Sequence, residues 1–169
     1  EASVLDMHDG VLLLEFHGKV NTLGPGVIEM AQVALDRLEA GDEYLGMVIG
    51  NQGNCFSAGA NINPQLLADG DEIPASIVDR LAQEFQRAVM RIRYCEKPIV
   101  VAPFDRTLGG AAEIVLAGAR IVAHMELYMG LVEVGLGLVP AGGGCKEMLR
   151  RVVNPVMTLS NGEPFAPIQ

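Results

Sequence analysis

Two glutamates stand where charge is least expected. Glu113 lies in Gly110-Ala-Ala-Glu-Ile-Val-Leu-Ala-Gly-Ala119, which is apolar on every side. Glu133 is the only charge in Met129-Gly-Leu-Val-Glu-Val-Gly-Leu-Gly-Leu-Val139. A carboxylate in such company costs free energy unless it is paired or serves a functional pocket. For Glu113 two readings stand open, a structural ion pair with Arg120 or Arg106 and an acid–base role. For Glu133 the choice lies between a half-exposed strand residue pointing to water and a second acid. Two carboxylates in separate buried settings can hold different protonation states, so that one activates water while its neighbour delivers a proton.

Two short loops supply a complementary chemistry. Ser57-Ala-Gly-Ala60 and Leu108-Gly-Gly-Ala111 each follow a strand and open a helix. Backbone N–H groups at such positions are free, and the helix dipole favours negative charge beside them. If the loops converge they can stabilise an enolate or oxyanion; each alone also reads as ordinary turn glycine. Other motifs fail. Gly142-Gly-Gly-Cys-Lys146 is no phosphate-binding loop, and Gly135-x-Gly137-x-x-Pro140 lacks the third glycine of a dinucleotide fingerprint. Ser57 follows no leading glycine of a nucleophile elbow, so a serine hydrolase is a weak third idea. His8, His17 and His124 lack metal-ligand spacing, and no metal site is expected.

The elements that must position these groups follow from periodicity. Val11–Phe16, Gly46–Gly50 and Pro98–Ala102 are apolar runs that read as strands, with a fourth at Ile121–Ala123. Val27, Ala31, Ala34 and Leu38, between Pro25 and Gly41, have helical spacing, as do Ile77, Leu81, Phe85, Val89 and Ile92. A buried helix is expected over Gly110–Ala119, a loop at Asp69–Asp71, and a short last helix around Lys146–Val152. Strands alternating with helices define an α/β class with largely parallel pairing. One core over residues 1–152 is expected, with 153–169 an irregular tail marked by Pro155, Pro164 and Pro167.

Composition narrows the partners. The 169 residues are 50% hydrophobic with a net charge of −9, which excludes disorder driven by polarity and argues against nucleic acid and anionic membranes. Charges interrupt the long apolar stretch at Glu113, Arg120, Glu126 and Glu133, so no membrane span is expected. Three scattered cysteines without a CxxC pair point to a cytoplasmic setting rather than a disulfide framework. The chain opens on Glu1 rather than Met and reads as a piece of something longer.

Three stretches together resemble the crotonase, or enoyl-CoA hydratase/isomerase, superfamily: Phe56-Ser-Ala-Gly-Ala-Asn-Ile62, Lys97-Pro-Ile-Val-Val-Ala continuing to Thr107-Leu-Gly-Gly-Ala-Ala-Glu-Ile114, and Met129 through Gly144. The likeness spans about residues 10 to 152 and is nearest to the hydratase region of proteins that also carry a 3-hydroxyacyl-CoA dehydrogenase. It implies a spiral of repeated ββα units in a single core that lacks the family's C-terminal helical segment. It also implies an acyl-CoA thioester as substrate, with no cofactor beyond the coenzyme A of that substrate, and a trimer-type homo-oligomer. By position, the amides of Ala60 and Gly110 become the oxyanion hole, and Ala58 faces the CoA adenine region. Glu113 deprotonates the attacking water, and Glu133, kept protonated, delivers a proton to C2. Lys19 is a candidate for the CoA phosphates. Asn61, Ala111 and Ala112 depart mildly from the family pattern, and Asp105-Arg106 could give Glu113 an ion partner. The alternatives are a non-catalytic acyl-CoA-binding or assembly module and a crotonase-family isomerase.

Overall fold

A computed structural model describes residues 1–61 and 75–159, with side chains from 76 to 153 in the second stretch. The expected loop at Asp69–Asp71 lies outside the described residues.

Strand β1 (Ala2–Asp6) turns through His8, Asp9 and Gly10, all at positive φ, into the antiparallel strand β2 (Val11–Phe16). Alternation in β2 buries Leu12, Leu14 and Phe16 and leaves the intervening residues half-buried. Helix α1 (Pro25–Glu39) follows, with proline in its first turn where a missing N–H costs nothing. It lays Val27, Ala31, Ala34, Leu35 and Leu38 on the sheet. Strands β3 (Gly46–Ile49) and β4 (Ile99–Val101) extend the sheet in parallel, pairing Val11 with Gly46 and Met47 with Ile99. Between them runs α2 (Ala75–Tyr94), packed on α1. Strand β6 (Arg120–Ile121) completes the order β1-β2-β3-β4-β6.

A second sheet carries the chemistry. Strand β5 (Arg106–Leu108) pairs in parallel with β7 (Tyr128–Gly130), Leu108 opposite Gly130. Helix α3 (Gly110–Ala117) rises directly from β5 and is buried along its whole length, as its all-apolar sequence requires. A 3₁₀ turn (Glu133–Leu136) follows β7 and closes on Gly137, and α4 (Gly144–Leu159) packs on α3.

Four expectations change. Glu133 opens a 3₁₀ turn rather than sitting in a strand. The fourth expected strand is shorter and earlier, at Arg120–Ile121. A strand, β5, occupies part of the connection ahead of α3 that reads as a turn. The last helix begins at Gly144 and continues to Leu159, so residues 153–159 are helical; residues 160–169 lie outside the described part. Among the described residues no helix is long and apolar enough to cross a membrane.

Candidate active site

The two loops meet edge to edge. Ser57 N–H donates to Arg106 O at 3.1 Å and Leu108 N–H donates to Ser57 O at 3.1 Å, a bridge that lays residues 57–60 beside β5. Gly59 is obligatory here. Its φ is +95°, and a Cβ would stand 2.6 Å from Leu108 O. Ser57 is fully buried, and its Oγ accepts the Gly59 N–H at 3.1 Å, so the hydroxyl braces the loop and is not offered to solvent. On the other side Leu23 N–H donates to Gly59 O and Asn61 N–H to Leu23 O, which leaves the amide between them, that of Ala60, out of the pairing. The amide of Gly110 opens α3, where no intrahelical acceptor exists. Among the described residues neither Ala60 N–H nor Gly110 N–H donates to a main-chain carbonyl.

Glu113 sits one turn into α3 and is 2% exposed. Among the described residues no arginine forms an ion pair with it. Arg106 is exposed and engages Asp105, Nε to Oδ2 at 3.3 Å. The carboxylate is held by main chain instead: Gly142 N–H donates to Oε2 at 3.0 Å and Gly144 N–H to Oε1 at 2.7 Å. The ion-pair reading is thereby replaced by a backbone cradle. Burial pushes the Glu113 carboxyl above its ordinary range, the Gly144 and Gly142 amides pull it back, and the charge of Glu133 pushes it up again.

Glu133 reaches the same helix start. Its Oε1 lies 3.1 Å from where a Cβ on Gly109 would stand, immediately before the Gly110 amide. Its Oε2 is buried and has no hydrogen-bond partner among the described residues. Gly109 N–H donates to Gly130 O at 2.8 Å, extending the β5–β7 pairing and fixing the turn of Glu133 beside α3. Both acids and one free amide therefore converge on the first turn of α3, and the loop carrying the second amide lies against it. A buried, unpartnered carboxyl oxygen near free main-chain donors is a site equipped for proton transfer at a carbonyl compound.

Ala58 donates its N–H to Val20 O at 3.0 Å, so the loop lies against the segment that carries Lys19, which is exposed. A groove of about 730 Å³ between α1 and α2, lined by Pro25, Ile28, Gln32, Glu84, Arg87 and Met90, includes none of the six predicted residues.

The sequence reading missed the Gly142–Gly144 cradle, although the three-glycine run was the available signal: a Cβ on Gly142 would stand 2.6 Å from Glu113 Oε2. It also missed Phe85, whose ring closes on that glycine.

Comparison with known proteins places the chain in a family. Residues 6–157 match the family described as enoyl-CoA hydratase/isomerase. The chain belongs to that family. It is 46% identical over 159 residues to a probable 3-hydroxyacyl-CoA dehydrogenase of Bacillus subtilis (strain 168), covering 92% of this chain and 20% of that protein. It is 30% identical over 159 residues to a probable enoyl-CoA hydratase of the same organism, covering 92% of this chain and 60% of the relative. Among solved structures, an enoyl-CoA hydratase from Polaromonas sp. JS666 superposes with a TM-score of 0.80 at 25% identity, covering 88% of this chain and 58% of that one. The chain thus spans a fifth to three-fifths of the length of these relatives, and its fold is the crotonase-like core.

Proposed function

We propose that this chain is the hydratase region of a larger protein and adds water reversibly across the 2,3 double bond of 2-enoyl-CoA thioesters. The observation that carries the reading is the convergence of Glu113, Glu133 and the Gly110 amide on one helical turn. In the hydration direction Glu113 takes a proton from water as its oxygen bonds to C3. The electron pair of the double bond moves onto the thioester oxygen, which accepts hydrogen bonds from the Ala60 and Gly110 amides. Glu133, carrying a proton, gives it to C2, and the enolate collapses to the 3-hydroxyacyl thioester. The proton gained by Glu113 then returns to Glu133, which balances the cycle. A carboxylate raised by burial is a stronger base than one in water, which suits Glu113 to this step.

Water and the thioester are the only reactants and no redox change occurs, so the reading calls for no cofactor beyond the substrate's own coenzyme A. Ala58 and Lys19 are assigned to the CoA moiety, on the strength of their shared edge along Val20. The reading extends to a cytoplasmic homo-oligomer of trimer type, with a dehydrogenase region elsewhere in the parent chain.

The test is hydration of crotonyl-CoA by the full-length protein, followed by loss of the conjugated thioester's ultraviolet absorbance. Glu113→Gln and Glu133→Gln are each expected to lower turnover by roughly a hundredfold or more, with CoA-ester affinity nearly unchanged. Retained binding without turnover in the wild type would favour a non-catalytic acyl-CoA module. Double-bond migration without hydration would favour an isomerase.

A further inference from the structure

Glu113 is held by main-chain amides, which raises the question of what holds the main chain. The Gly142 N–H that donates to Oε2 belongs to the same peptide group as the Ala141 carbonyl. A trans peptide points its N–H and C=O in opposite directions. On the far side, Gln86 Nε2 of α2 donates to Ala141 O at 2.7 Å. The residue before it, Phe85, packs on the α-carbon of Gly142, where a Cβ would stand 2.4 Å from its Cε1. We propose that Gln86 is a positioning residue for Glu113, acting through the Ala141–Gly142 peptide with Phe85 as the buttress of that peptide.

The linkage does two things. It fixes the orientation of a glycine-rich segment that has little conformational restraint of its own. It also polarises the amide, because a peptide whose carbonyl accepts a hydrogen bond donates more strongly from its nitrogen. Among the described residues Glu133, from the 3₁₀ turn, is the charged group whose field reaches Glu113. On α4, Lys146 and Arg150 attend Glu147, together with Arg93 of α2. Glu84 and Arg87, which flank this pair on α2, are exposed. Losing the Gln86 bond weakens a contact that favours the ionised carboxyl.

The catalytic consequence rests on the hydratase reading; the structural linkage does not. The experiment therefore has two readouts on the full-length protein carrying Gln86→Met, which keeps the side-chain length and removes the donor. Hydrogen exchange of the Gly142–Gly144 segment, followed by mass spectrometry, is expected to quicken by about two- to tenfold, the worth of one net hydrogen bond. The acidic limb of the kcat/KM profile for crotonyl-CoA is expected to move upward by several tenths of a pH unit, with kcat lowered by about two- to tenfold and KM unchanged. Gln83→Met, one turn earlier where Gln83 bonds only Asp79 among the described residues, should change neither. Unchanged exchange in Gln86→Met, or an equal change in Gln83→Met, overturns the proposal. If the wild type does not hydrate crotonyl-CoA, the functional reading fails while the exchange comparison still decides the linkage.

Discussion

Replacing Gly142 by alanine tests the cradle directly. Gly142 is not among the residues at positive φ, so alanine fits the backbone and the added methyl group is the whole perturbation. That methyl would stand 2.4 Å from Phe85 Cε1, 2.6 Å from Glu113 Oε2 and 3.0 Å from Glu113 Cδ. Ordinary carbon contacts lie near 3.5–4.0 Å, so ring, carboxylate and loop must together yield about 1 Å. Overpacking of this kind costs about 1–3 kcal/mol of stability. Displacing a catalytic group by about 1 Å costs on the order of a hundredfold in rate. Gly142→Ala is therefore expected to lower kcat/KM for crotonyl-CoA hydration roughly 10- to 100-fold and to lower the midpoint of thermal unfolding. Gly135→Ala is the control: among the described residues no atom lies within 4 Å of its added methyl, and its φ is not positive. It should match the wild type within about 0.5 kcal/mol. A Gly142→Ala protein with wild-type turnover and melting would refute the claim that Glu113 is seated by this loop.

Other outcomes follow from the same geometry. Gly110→Pro removes the N–H and also strains the turn, its Cβ standing 3.1 Å from Phe85 Cζ, and should cost roughly a hundredfold or more in turnover; wild-type rates would remove the Gly110 amide from the mechanism. Burial raises Glu113, so the folded state binds its proton more tightly than the unfolded chain does. Stability from that group is present below its ordinary value of 4.5 and is lost as pH rises through the folded value. Wild type should accordingly lose stability relative to Glu113→Gln as pH rises above 4.5 in denaturation, and a constant difference would contradict the burial argument. Glu147 acts in the opposite sense. Its burial is outweighed by the Arg150 hydrogen bond and the charges of Arg93, Arg150 and Lys146, so it stabilises the fold above 4.5 and ceases to do so in acid.

The parts legible in the sequence were those with a side-chain signature. Strands β3 and β4 are unbroken apolar runs, β2 is one interrupted only by Glu15, and α1 and α2 carry apolar residues at helical spacing. Helix α3 was visible because a lone glutamate in an apolar stretch has to be explained. Strand β1 lacks that signature: its Ser3 and Asp6 blur the alternation. Strand β5 is three residues long with an exposed arginine, and its partners, β7 and the isolated bridge to Ser57, come from distant segments. The length of α4 was masked by Pro155, which reads as a breaker while the helix runs past it. In the site, both acids and both loops were legible. The partner of Glu113 was not, because a main-chain donor has no residue type of its own. Three consecutive glycines permit a close approach without saying what approaches.

The seat of Glu113 is built from peptide groups, and this bears on how the protein can drift through evolution. An acid steadied by an arginine is lost when that arginine mutates, and its strength shifts with every neighbouring replacement. An acid steadied by amides does not depend on the residue types that carry those amides, so long as they stay small enough to let the chain pass. The side chains flanking the glycines, those of Ala141, Cys145 and Lys146, project away from this duty and are free to vary while the acid keeps its character.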